Sequence, residues 1–500
     1  MQKIDQMTIQ GIGIPGMVLM ERAAYAMYEQ IIERFPDCKT KICIVAGTGN
    51  NGGDGLALGR MLAEEGYSVT IQVVGNPLTA SDQFMDQMQI LLALGVVTVT
   101  EADYGEYDVL VDAIFGVGLS REVKGTYGEV IEQMNEAKAY KIAVDIPSGV
   151  CATSGNVLGV ALKCDLTVTF GLLKRGLVLY PGCQYAGEVI TAKIGFPKKV
   201  IEQYRPTAYT YGEEDLEKLP VRRPDSNKGT YGKVLVVAGN INMAGACYFS
   251  SKAAYLCGSG LVQILTPEAN RVILQSMIPE AILTTYKEKE DAKESLREAM
   301  KTCSSIVIGP GMGRTETTKE LLELLLEEYE EKLIIDADGC NVLSELEQLL
   351  KTTKADVVLT PHMKEATRIL NISMEELKEN RFSIIEEYAK EYKITFVLKD
   401  ARTLISNGTD LTFINTSGNN GMSVGGSGDV LAGMIAGLCA GGMSGMEGAV
   451  LGVYCHGLSG DYAKLEKGVY SMMASDLLNH ISDALYHPTY EMDNLGGEFS

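Results

Sequence analysis

Basic residues are in short supply: 44 Lys and Arg stand against 65 Asp and Glu, leaving a formal net charge of −21. Nucleic acid and anionic membrane both reward Lys/Arg contacts, so this balance argues against either as a main partner. Histidine is scarcer still. Four occur in 500 residues (His362, His456, His480 and His487), which argues against a His-rich zinc site or a histidine triad. The 11 cysteines are scattered singly with no CxxC pair, the pattern of a reduced intracellular chain. No run of ~18 uninterrupted apolar residues occurs, and the opening MQKIDQMTIQGIGIPG lacks a long apolar core. These absences predict a soluble, cytoplasmic protein.

What is present is length, glycine and repeated short apolar runs. At about 150 residues per domain, 500 residues suggest three domains or two large α/β ones. An apolar fraction of 46% excludes wholesale disorder. Met17, Met20, Ala24, Met27 and Ile31 recur at helical spacing and predict a core-packed helix over residues 17–35. Continuous β-branched runs follow at 41–47, 68–75, 107–116, 141–149, 166–171 and 188–195. Such runs suit strands buried on both faces of a parallel sheet. Helical stretches at 56–66 and 81–94 lie between the earlier ones, so the first half reads as a doubly wound Rossmann-like α/β unit.

Residues 201–230 are polar, carry three prolines and contain no apolar run, which marks a junction. A second series of strands follows at 233–240, 261–267, 305–311, 332–338, 356–361 and 394–400. A hairpin over 402–416 turns at Asn407-Gly408, and 430–442 reads as helical despite its glycines. The acidic tail from Glu491 reads as loose. Two α/β domains, 1–215 and 216–500, are expected.

Two of the 54 glycines' clusters carry chemistry. In the first, Gly47-Thr48-Gly49-Asn50-Asn51-Gly52-Gly53-Asp54-Gly55 joins a strand to a helix. Gly and Asx tolerate φ > 0, so successive N–H groups are expected to curl into an anion-binding nest at a helix start. Asp112 and Ser148 lie in two further strand-end loops and, with Asn51, offer side-chain oxygens suited to a hard cation. In the second cluster, Gly426-Ser427-Gly428-Asp429 opens a small-residue helix. Its N–H groups suit a transferring phosphoryl, while the Asp429 carboxylate beside them suits the proton of a hydroxyl nucleophile.

The strings GTGNNGGDGLALGR, VDAIFGVGLSRE and VDIPSGV together resemble the NAD(P)H-hydrate epimerase domain over roughly residues 1–210. The GxGD string resembles the ribokinase-like superfamily. With KGTYGKVLVVAGNINMAGACYFSSKAAYLCGSGLV, IGPGMG, IDADGCNVL and LTPHMKEATRIL, it is more narrowly similar to the ADP- or ATP-dependent NAD(P)H-hydrate dehydratase over about 225–490. The resemblance implies a bifunctional repair enzyme for NADH hydrate and NADPH hydrate, working as a homo-oligomer with ADP or ATP, Mg2+ and K+. In the first domain Asn50, Asn51, Gly52, Gly53 and Asp54 would line the hydrate cleft. Gly116, Val117, Gly118, Leu119, Ser120, Arg121, Glu122 and Asp145 would join them, and Asn51, Asp112 and Ser148 would hold potassium. Asp145 or Lys124 would take part in proton transfer.

In the second domain Ala246, Gly311 and His362 would contact the hydrate, with Asp338 and Asn341 near the same cleft. Lys399, Asp400, Ala401, Arg402, Thr403 and Gly428 would contact the nucleotide. Asp429 would be the base, and Gly426, Ser427 and Gly428 the anion hole. Thr48, Lys364, Asp400, Asn420 and Ser427 depart from the family's usual residues. A kinase of a small alcohol and a cofactor-sensing protein are the competing readings. A stable phosphoester product would favour the former, and the intact Asp429 speaks against the latter.

Overall fold

A computed structural model describes residues 1–409 and 411–486, so the tail from Glu491 lies outside the described residues. The chain forms two compact units that change at Pro206/Thr207, inside the polar segment 201–230. Among the described residues no helix is long and apolar enough to cross a membrane.

The first unit is built on seven strands: β1 Lys41–Ala46, β2 Ser68–Val73, β3 Thr98–Val99, β4 Val109–Ala113, β5 Tyr140–Val144, β6 Leu166–Phe170 and β7 Glu188–Ala192. Every pairing is parallel, in the order β3-β2-β1-β4-β5-β6-β7. The apolar runs are continuous because both faces are covered. Helices Gly16–Arg34 and Asn50–Glu64 bury Met27, Ile31, Leu56 and Leu58 against Ile42, Ile44 and Val111. On the opposite face Val130, Ile131 and Met134 of helix Thr126–Glu136 meet Cys43, Val45 and Leu110. Strand order reverses between β1 and β4, opening a crevice at their carboxyl ends, where such sheets bind ligands.

The second unit carries ten strands: β8 Ala208–Tyr209, β9 Lys233–Val237, β10 Leu261–Pro267, β11 Ile282–Tyr286, β12 Ser305–Ile308, β13 Lys332–Ile335, β14 Asp356–Leu359, β15 Thr395–Leu398, β16 Leu404–Ser406 and β17 Thr412–Ile414. Their order is β11-β10-β9-β12-β13-β14-β15-β16-β17-β8, and the reversal falls between β9 and β12. Among the described strands of this sheet the antiparallel pairs are β15 with β16 and β16 with β17, the latter joined by the hairpin around Asn407-Gly408. Helix Ser427–Ala440 is buried at every position from Val430 to Ala440. Its glycines serve contact rather than weakness: a Cβ on Gly433 would sit 2.1 Å from the Ser250 carbonyl of helix Ala244–Leu256.

The unread strands are β3, β8 and β11. Two of them are two residues long, and β11 is an edge strand with partly exposed side chains, so neither gives a buried-run signal. Both functional helices begin earlier than periodicity suggests, at Asn50 and Ser427, because glycine and polar residues there carry no apolar repeat.

Candidate functional site

The loop after β1 runs straight into its helix. Gly49 has φ −94° and ψ −170°, and no glycine from 47 to 55 has positive φ, which corrects the expectation of a φ > 0 nest. Proximity is what demands glycine here. A Cβ on Gly52 would lie 1.7 Å from the Gly47 carbonyl oxygen, and one on Gly47 would lie 2.3 Å from that of Ile114. Only bare backbone allows the helix start to press against β1 and the loop after β4. The N-terminal N–H groups of the helix then open onto a cavity of about 810 Å3. Asn50, Asn51 and Asp54 line it from one side and the 116–121 loop from another, with Asp145, Lys174, Phe115 and Tyr127.

One ionisable cluster lines this cavity and a second lies beyond its lining. Asp145 follows β5 with φ 66° and accepts from Lys174 Nζ at 2.5 Å, the Phe170 N–H at 2.9 Å and the Thr169 hydroxyl at 3.2 Å. Burial lowers the Lys174 ammonium's pKa despite its Asp145 partner. Deeper down, Asp112 accepts from the Ser148 hydroxyl at 2.6 Å and the Ser148 N–H at 2.7 Å. Burial pushes the Asp112 carboxyl up to about 6 against these hydrogen bonds. The Asn51 Nδ2 is buried with no partner. Its Oδ1 lies 3.0 Å from where a Gly116 Cβ would stand, next to Phe115, whose N–H donates to Ser148 Oγ at 2.9 Å.

In the second unit Gly426 takes φ 92° and caps helix Ser427–Ala440, whose first turn carries Asp429. Burial and the charge of Asp336, opposed by Lys399, push the Asp429 carboxyl up to about 7. Lys399 leaves β15 and donates to Asp336 Oδ1 at 2.6 Å, an oxygen that also accepts from Thr360 at 2.8 Å. Burial pulls the Lys399 pKa down, yet the Asp336 carboxylate outweighs it and the net shift is upward. A Cβ on Gly428 would lie 3.3 Å from Lys399 Nζ, so the ammonium stands against the helix opening. Behind it, His456 Nε2 is 3.4 Å from Ser427 Oγ, and burial holds this histidine's pKa down to about 4.

A family model described as NAD(P)H-hydrate dehydratase matches residues 234–483, and one described as YjeF-related protein N-terminus matches residues 16–176. The bifunctional NAD(P)H-hydrate repair enzyme of Thermofilum pendens is 35% identical, covering 96% of this chain and 94% of its own. The chain belongs to the bifunctional NAD(P)H-hydrate repair enzyme family. A Moorella thermoacetica relative of the same description is 34% identical over 99% of this chain and 97% of its own. A ribokinase-like superfamily protein of Enterococcus faecalis is 28% identical with a TM-score of 0.51, covering 57% of this chain and 98% of that one. Both halves of this repair-enzyme chain are therefore the α/β folds expected, Rossmann-like then ribokinase-like.

Against that family background the placement of individual residues is uneven. Asn50, Asn51, Asp54, Gly116 through Arg121 and Asp145 share the first cavity, whereas Glu122 lies outside its lining and pairs with exposed Lys124. Gly52 and Gly53 are buried beneath the helix start. Gly311 (φ 63°) and Ala246 meet at the reversal between β9 and β12, where a Gly311 Cβ would lie 2.9 Å from that of Ala246. The Asp338 carboxylate accepts from the Gly313 N–H at 2.8 Å, and the Asn341 carbonyl accepts from Arg314 and Arg368. His362 caps helix Met363–Leu370: its Nδ1 accepts from the N–H groups of Lys364 at 3.1 Å and Glu365 at 3.2 Å. It also bridges to Lys399. In the loop that follows, Asp400 pairs with Arg381 at 3.8 Å, Arg402 donates to the Thr416 carbonyl and Thr403 to that of Asp400, while Ala401 is exposed.

Sequence reasoning missed Lys174, Asp336, Glu365 and His456. A lone lysine or acid after an apolar strand carries no pattern of its own. A signal did exist for Asp336, the first of two acids in IDADGCNVL, and for Glu365, the acid of LTPHMKEATRIL.

Proposed function

We propose that this chain repairs hydrated NADH and NADPH in two steps, exchanging the R and S epimers in the first cavity and dehydrating the S epimer in the second. The observation that carries the second step is the trio of Asp429, Lys399 and the helix opening at Gly426–Gly428. Water adds to a dihydronicotinamide at the carbon beside the ring nitrogen, and reversal requires a hydroxyl to leave. Hydroxide is a poor leaving group because the pKa of water is about 15.7. A phosphate ester leaves readily, since its second pKa is about 6. Asp429 takes the proton of the hydrate's hydroxyl as that oxygen meets the phosphoryl group of ADP or ATP. The N–H groups of Gly428 and its neighbours, with Lys399, hold the phosphoryl charge. The ring nitrogen then expels phosphate to leave an iminium, which loses a proton from the adjacent ring carbon to restore the dihydronicotinamide, and no phosphorylated product remains.

Mg2+ would accompany the nucleotide and supply positive charge to its phosphates. The buried carboxylates that would be available to it are those of Asp336, which also pairs with Lys399, and Glu365. Potassium fits the first unit, where Asn51, Asp112 and Ser148 would hold it. Asp112 is a buried acid, and Asn51 Oδ1, the ligating end of that amide, faces Gly116 in the neighbouring loop. Held by these residues, a cation would offset the Asp112 charge. Asp112→Ala is expected to slow epimer exchange at least tenfold in potassium buffer and leave S-epimer dehydration unchanged; unaltered exchange removes the cation reading.

Mixed hydrate epimers with Mg2+ and either ADP or ATP test the whole scheme through the return of reduced-nicotinamide absorbance. Full conversion is expected. A plateau at the S fraction means that exchange is missing, and a stable phosphoester product favours a small-alcohol kinase instead.

A further inference from the structure

Asp5, Asp54, Asp145 and Lys174 reach the first cavity from four different elements. Asp145 accepts from the Lys174 ammonium, the Phe170 N–H and the Thr169 hydroxyl. Asp54 stands one turn into helix Asn50–Glu64. Burial, then the charges of Asp145 and Asp5, hold the Asp54 carboxyl well above the ordinary carboxylate range. Asp54 is thereby equipped to give a proton, and the ion-paired Asp145 in the same cavity offers oxygens to accept one.

We propose that Asp54 is the proton donor of epimer exchange, delivering its proton to the hydroxyl of the bound hydrate while Asp145 serves as the carboxylate partner. The proposal rests on the epimerase reading of this cavity and deepens it. The Asp54 proton goes to the hydroxyl oxygen, the carbon–oxygen bond breaks and water departs. The nitrogen lone pair forms a C=N bond, giving a planar iminium whose positive charge faces the Asp145 carboxylate. Water adds to the other face and gives its extra proton to Asp145. That proton passes to Asp54, restoring both groups, so only the configuration at carbon has changed.

The test follows R and S populations by proton NMR across a pH series with the full-length chain, subtracting the exchange seen without enzyme. Wild-type exchange is expected to decline as pH rises through the elevated Asp54 titration. Asp54→Asn is expected to lose about a hundredfold or more of the rate together with that decline, and Asp54→Glu to regain both in part. Thermal unfolding of each variant reports that the first unit is folded, and dehydration of purified S epimer reports the second. An Asp54→Asn protein that keeps wild-type exchange and the same decline overturns the assignment to Asp54 alone. A wild-type chain that exchanges no faster than buffer overturns the epimerase reading itself.

Discussion

Asp429→Asn is expected to lower kcat for nucleotide-dependent recovery of reduced dinucleotide by about 10²–10⁴-fold, the range a positioned general base contributes. Asparagine keeps the size and polarity of the side chain at the helix opening but has no basicity. The anion hole survives, because its donors are backbone N–H groups from Gly426 onward and the Lys399 ammonium held by Asp336 at 2.6 Å. Stability should hold or rise, since the wild-type carboxylate is desolvated and crowded by Asp336. Thermal unfolding and epimer exchange are therefore the controls, and both should match wild type. Loss of both activities in a folded variant would defeat the division into two sites.

The same residue sets a pH dependence with a definite sign. A base works only when deprotonated, and Asp429 is pushed up to about 7. The kcat/KM for dehydration should fall as pH drops through about 7, because that ratio reports the free enzyme. An ordinary carboxylate would hold activity flat down to about pH 4. His456 is not a rival source of the limb, since its pKa is held down to about 4. Asp429→Asn should leave a low, pH-insensitive residue of activity.

Most parallel strands and both glycine loops were legible in the sequence because each leaves a strong local trace. Buried runs such as those of β1, β4 and β9 have one structural solution, a parallel strand covered on both faces. What the glycines do was less legible. Gly47 and Gly52 are there so that two backbones can touch, which depends on Ile114 far along the chain. Lys174 was illegible for the same reason: its meaning comes from Asp145, 29 residues away and on another strand end. His362 shows the converse, a recognisable motif residue whose ring is engaged as a helix cap. Local composition speaks for backbone form, whereas ion pairs between strand ends need the fold.

Asp145→Asn is expected to stop epimer exchange and to destabilise the chain, and the two losses are separable. In the wild type the Lys174 side chain is 4% exposed and its partner Asp145 12%. Removing the carboxylate leaves a buried ammonium facing little beyond the Phe170 carbonyl at 2.7 Å. Breaking a buried pair from one side costs about 3–5 kcal/mol. Backbone strain is not the cause, because asparagine tolerates the positive φ of this position as well as aspartate does. Converting Lys174 to methionine in the same chain removes the stranded charge and fills its volume with an apolar side chain. The double variant should therefore recover most of the melting temperature yet no exchange, while S-epimer dehydration stays at wild-type rate throughout. If exchange returned together with stability, the ion pair would be a structural pin and the carboxylate would have no part in the chemistry of the first cavity.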